Sequence, residues 1–78
     1  MKLFEVINKY VGESYVRLYV IAENEERALE IARAKYKWYA EGGYRDYITY
    51  DEDYWKELKI RVICEDTSKE WVDKKPIN

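Results

Sequence analysis

Hydrophobic positions along this chain recur first at every second residue, then near every 3.6, then at every second again, which predicts strands, a helix and a further strand. In residues 2–10, Phe4, Val6 and Tyr10 alternate with Leu3, Glu5 and Ile7, so this is a first strand whose two faces are nearly equal in apolar character. Val11, Gly12, Glu13 and Ser14 supply turn chemistry. Residues 15–22 then place Val16, Leu18, Val20 and Ala22 on one side and Tyr15, Arg17 and Tyr19 on the other, which makes the pair a β-hairpin. The period lengthens after Asn24, whose side chain suits a helix N-cap, with Glu25 and Glu26 placed for the positive end of the helix dipole. Ala28, Ala32, Tyr36 and Tyr39 form the stripe that covers the sheet, flanked by Leu29 and Ile31. Gly42 and Gly43 end the helix. Residues 44–54 read as an aromatic and acidic connection packed at a sheet edge. Residues 55–64 alternate again, with Leu58, Ile60, Val62 and Cys64 inward and Glu57, Lys59, Arg61 and Ile63 outward.

The expected fold is therefore α+β, in the order ββαβ: a three-stranded antiparallel sheet of order 2-1-3, covered on one face by a single helix. Val16, Leu18, Val20, Leu29, Ala32, Tyr36, Leu58, Ile60 and Val62 make the expected core. Residues 1–66 form one domain, and residues 67–78, polar and carrying Pro76, form a C-terminal tail to which Trp71 and Val72 add a partial anchor. The other sheet face stays open, either for a ligand or for a second subunit.

With 78 residues the chain holds one small core. Domains this small often take added stability from disulfides, a metal or self-association, and Cys64 is the sole cysteine, placed on the inward row as an inert core thiol. A homodimer or higher homo-oligomer is the expected remedy. Fourteen basic against sixteen acidic residues give a net charge of -2, which argues against duplex DNA as a partner. No apolar run is long enough to cross a membrane, and the expected location is the cytoplasm of a host cell. There is no histidine, and no nucleophile and base stand in a legible pair, so the expectation is a non-enzymatic protein without a cofactor. Asp46, Asp51, Glu52 and Asp53 do not follow a calcium-loop spacing, and no metal site is expected.

Residues 20–26 (Val-Ile-Ala-Glu-Asn-Glu-Glu), the helix from Ala28 through Ala32 to Tyr36, and residues 48–54 (Ile-Thr-Tyr-Asp-Glu-Asp-Tyr) before a last strand give the chain a pattern that resembles the DpnD/PcfM-like small proteins of phages and conjugative elements. The resemblance spans roughly residues 3 to 63 and brings no catalytic motif with it. It implies a mobile-element origin and action by attachment to a host factor, a defence protein or a signalling nucleotide.

Two surfaces carry the binding chemistry. Trp38, Tyr44, Tyr47, Tyr50 and Trp55, with Asp51 and Asp53 on the rim, form the densest aromatic segment, and aromatic rings give large contact area at small entropy cost. They either bind a host protein, which the chain would inhibit, or complete the core. Tyr15, Arg17 and Tyr19 on the second strand, with Lys59 and Arg61 on the third, form an alternative platform for a nucleotide or another small molecule, tyrosines stacking on bases and cations meeting phosphates. Against that use, Glu5 lies between the cations on the central strand and would neutralise them in a cross-strand ladder. A further reading of Glu41, Asp46, Asp51, Glu52, Asp53, Glu65 and Asp66 is mimicry of phosphate charge.

Overall fold

The structure, a computed structural model, describes residues 1–10, 16–42 and 51–72. Its elements run β1 (Lys2–Asn8), β2 (Arg17–Ala22), α1 (Glu25–Ala40), α2 (Asp53–Lys56) and β3 (Leu58–Cys64). The three strands form one sheet in the order β2-β1-β3, antiparallel at both pairings. This is the expected α+β arrangement, with one added element. The third strand was expected to begin at Trp55; instead Asp53–Lys56 makes one helical turn, because the Tyr54, Trp55 and Lys56 N–H groups bond back to the carbonyls of Asp51 and Glu52.

Register decides which face of β1 is inside. Phe4 stands between Val20 and Val62, and Val6 between Leu18 and Ile60, so these rows share the helix-covered face. Phe4, Val6, Val20, Ala22, Ala28, Ala32, Tyr36, Ala40 and Tyr54 form the buried cluster. Of the expected core, Val20, Ala32 and Tyr36 are buried, and Leu18, Leu29, Leu58 and Ile60 pack against the cluster half-buried. Val16 is half-buried as well. Val62 is 36% exposed, a departure from expectation. It lies on β3, an edge strand of the sheet.

Cys64 also departs from the inward row. A register shift between Leu3 and Phe4 sets Leu3 opposite Cys64 and Phe4 opposite Val62, so β3 carries an extra residue there and the alternation breaks. Cys64 is buried, yet outside the cluster beneath the helix.

Helix α1 forms as its sequence dictates. The Asn24 side chain accepts from the Arg27 N–H at 2.8 Å, and Glu25 and Glu26 sit in the first turn. Residues 28, 32, 36 and 40 repeat every fourth position and are all buried. Tyr39, expected in the stripe, is half-buried beside them. At the other end Gly42 takes φ 88°, a left-handed conformation that favours glycine, and its N–H bonds to the Tyr39 carbonyl at 3.1 Å. Gly43 lies outside the described residues.

The buried face of α1 begins with alanines at positions 28 and 32 and continues toward its far end with Tyr36 and Ala40. There the Tyr36 hydroxyl donates to the Val6 carbonyl at 2.9 Å. Tyr54 meets Tyr36 edge-on with centroids 5.8 Å apart, meets Tyr10 edge-on at 4.8 Å, and stacks on Tyr39 at 5.8 Å. Asn8 donates to the Tyr54 carbonyl at 3.2 Å and accepts from the Tyr10 N–H at 3.0 Å, so its buried amide ties β1 to α2.

The chain past β3 is less detached than expected. Thr67 donates both its N–H and its hydroxyl to the Met1 carbonyl, each at 3.0 Å, joining the first residue of the expected tail to the start of β1. Trp71 and Val72 are exposed, at 42% and 78%, and do not anchor into the core as expected.

Candidate functional site

The face of the sheet away from α1 is built from three rows: Leu3, Glu5 and Ile7 on β1, Arg17, Tyr19 and Ile21 on β2, and Lys59 and Arg61 on β3. Cross-strand pairing sets Tyr19 and Arg61 on either side of Glu5, and Arg17 and Lys59 on either side of Ile7. Glu5 is buried among them. One of its oxygens takes the Arg61 Nε at 2.7 Å, and the other takes the Arg17 Nε at 3.2 Å and the Tyr19 hydroxyl at 3.4 Å. A carboxylate here would be costly alone, and the two guanidiniums and the phenol are what make its burial tolerable.

The cross-strand ladder foreseen around Glu5 is therefore present, and it has a second consequence. Glu5 holds both arginines in fixed positions, while each arginine side chain remains about half exposed, at 56% for Arg17 and 43% for Arg61. Arginine offers five N–H donors in a planar fork, so each group carries donors besides the one at Nε. Counting Arg17, Lys59 and Arg61 against Glu5, the face carries 3 − 1 = +2 on a chain whose total is -2. Tyr19 and Ile21 stand beside these cations at 60% and 57% exposure. Tyr15, the remaining member of the platform, lies outside the described residues.

Of the five aromatic residues of the expected binding segment, Trp38 and Trp55 are among the described residues. Tyr44, Tyr47 and Tyr50 lie outside the described residues. Trp55 packs half-buried against the core, its carbonyl accepting from Arg33 Nε at 3.3 Å and its ring lying under Lys37 Nζ at 6.0 Å. Trp38 is 45% exposed, with Lys35 Nζ 4.3 Å above its ring. At 100° per residue, Trp38 leaves α1 about 100° to 140° round from Lys37 and Arg33, so the two tryptophans occupy different flanks of the helix.

Asp53 is engaged within the fold. It accepts from the Tyr10 hydroxyl at 2.8 Å and pairs with Lys9 at 3.0 Å, and Lys9 also pairs with Glu57 at 3.1 Å. The bonds from Lys9 and then Tyr10 hold the Asp53 carboxyl below its ordinary range, while Asp53 and then Glu57 raise Lys9. Asp51 is exposed, and Glu52 pairs with Lys56 one turn on.

A hollow of about 380 Å³ lined by Ile7, Asn8, Lys9, Glu57, Leu58 and Lys59 opens at the end of the charged face. Among the described residues no group of three or more metal-binding side chains converges, and no helix is long and apolar enough to cross a membrane. Compared with known proteins, the chain matches no family model, no curated protein and no solved structure.

Sequence reasoning named every described member of the charged face except Ile21 and the half-buried Leu3 and Ile7. Alternation alone pointed to them, since Ile21 shares the parity of Arg17 and Tyr19. What it lacked was the knowledge of which β1 face the helix would cover.

Proposed function

We propose that this protein is a non-catalytic accessory protein that acts by docking on a host protein and blocking it, with the open face of the sheet as its docking surface. The observation that carries this reading is the pairing of exposed Tyr19 and Ile21 with two arginines held in place by a buried Glu5. Tyrosine and arginine supply much of the energy of protein interfaces, and side chains fixed before binding lose less entropy on binding. The charge balance of the face selects an acidic partner segment. The mobile-element setting belongs to the same proposal and rests on the resemblance to DpnD/PcfM-like proteins.

A capture experiment from host extract tests it. Tyr19→Ala and Arg61→Ala should each lose the captured protein while keeping the circular dichroism of the parent, and capture should weaken as salt rises. Retention by both, with loss in Trp38→Ala and Asp51→Ala, would move the docking surface to the aromatic and acidic segment.

A second reading, sequestration of a nucleotide, is favoured by one feature: the hollow at the end of the charged face has two lysines, Lys9 and Lys59, in its lining. A thermal shift with a nucleotide panel, abolished by Lys59→Ala, would support it over a protein partner.

A further inference from the structure

We infer that two copies of this chain pair through the free edge of β2, joining their sheets into one six-stranded sheet, with Val20 facing Val20 of the second copy across a twofold axis.

The two edges of the sheet differ. On β3, Lys59 and Arg61 alternate along the strand and the register shift near Cys64 distorts its end, both of which discourage further pairing. On β2 the pairing with β1 continues without a shift from Lys2↔Ala22 to Ile7↔Arg17. Its outward row carries one charge, Arg17, followed by exposed Tyr19 and Ile21. This edge is straight and apolar.

Backbone direction agrees. The Asn8 N–H donates to the Val16 carbonyl at 3.2 Å, so even-numbered residues of β2 turn their backbone groups toward β1, and Arg17, Tyr19 and Ile21 turn theirs to the free edge. With Val20 at the twofold axis, an antiparallel second copy sets Tyr19 opposite Ile21 and Leu18 opposite Ala22, and brings Arg17 to Glu23, the bend residue one past the end of β2. Every pair keeps its face. The Tyr19 and Ile21 pairs exchange backbone bonds and add an aromatic contact with a β-branched side chain.

Charge selects this register from its neighbours. Moving by two residues one way puts Tyr19 on Tyr19 and Arg17 on Ile21, and the other way puts Ile21 on Ile21 and Tyr19 on Glu23. Only the central register matches Arg17 with Glu23, twice over by symmetry. Glu23 is exposed and makes no ion pair among the described residues.

The helix layer adds to the same edge. A hollow of about 520 Å³ between β2 and α1 is lined by residues that include Ile21, Glu23, Arg27 and Ile31, which marks that flank of α1 as the one beside β2. Trp38 lies two turns beyond Ile31 on the same flank and is 45% exposed. Pairing along β2 therefore brings Ile31 and Trp38 of both copies toward the new contact.

Sedimentation equilibrium of the full chain, from micromolar to sub-millimolar concentration, should show twice the monomer mass at the upper end. Glu23→Arg should weaken association by about tenfold or more, by replacing an attractive pair with a repulsive one, and so should Arg17→Glu, which also removes a partner of buried Glu5 and is therefore compared only once its circular dichroism matches the parent's. An equimolar mixture of the two variants should regain the dimer, because each introduced charge then meets its opposite. Amide exchange in the unaltered protein gives a second readout that needs no variant: the Tyr19 and Ile21 amides should slow as concentration rises. A monomer at all concentrations, variants that associate as tightly as the parent, folded variants that fail to pair when mixed, or exchange at Tyr19 and Ile21 independent of concentration would each overturn the inference.

Discussion

Removing the Tyr36 hydroxyl tests whether the far end of the helix is held by a hydrogen bond or by ring packing. Tyr36 is fully buried, its hydroxyl donates to the Val6 carbonyl, and its ring meets Tyr54 edge-on. Val6 has the same parity as Asn8, so its carbonyl also faces Leu18 across the hairpin. A carbonyl has two acceptor sites, so the loss of the phenol does not orphan it. Tyr36→Phe should therefore cost about 1 kcal/mol, near the ordinary net value of an internal hydrogen bond. Tyr36→Ala deletes the ring as well and should cost about 3–5 kcal/mol. Against a total stability of about 4–12 kcal/mol for a chain of this length, the first variant stays folded and the second stands near the limit. Urea titration followed by fluorescence and circular dichroism measures both, and the melting midpoint should fall by about 4–8 °C for each kcal/mol. A Tyr36→Phe protein as stable as the parent would show that the bond adds nothing. Equal losses in the two variants would show that the ring contacts do not carry the packing.

Ala32→Glu places a charge on the buried face of α1, at a position with no exposure, and should abolish the cooperative unfolding transition; a stable, monodisperse variant would refute this helix placement. Asn24→Ala removes the cap on the Arg27 N–H and should cost about 1 kcal/mol, measured as a drop in urea midpoint. Because Asp53 binds its proton less readily when folded, its contribution is present above the ordinary carboxylate range and is lost as pH falls through the lowered value; because Lys9 holds its proton more tightly, its contribution is present below the ordinary 10.5 and is lost as pH rises through the raised value. Asp53→Asn should flatten stability at both the acid and the alkaline limb, and unchanged urea midpoints at pH 3, 7 and 11 would refute the pairing.

Local rules were enough for α1: the Asn24 cap, the four-residue repeat from Ala28 to Ala40 and the glycine stop all depend on neighbours within one or two turns, and all can be read along the chain. Strand alternation and the short return across the sheet likewise determine the order β2-β1-β3, since few antiparallel topologies suit one hairpin and one covering helix. The remainder depends on contacts between distant residues. Leu3, Glu5 and Ile7 looked as fit for the interior as Phe4 and Val6, and the choice was made by pairing against Val20 and Ile60. Tyr54 reads as one more ring in an acidic connection, yet the meeting of β1, α1 and α2 buries it completely. Asp53 reads as a free rim charge until Lys9 and Tyr10 from the far end of β1 take it up. The extra residue in β3, which removes Cys64 from the inward row, leaves no trace in the alternation of its own strand. Periodicity specifies which residues of one segment share a face; only packing against other segments, with its register and its demand that buried polar groups find partners, decides which face is inside and which charges remain for binding.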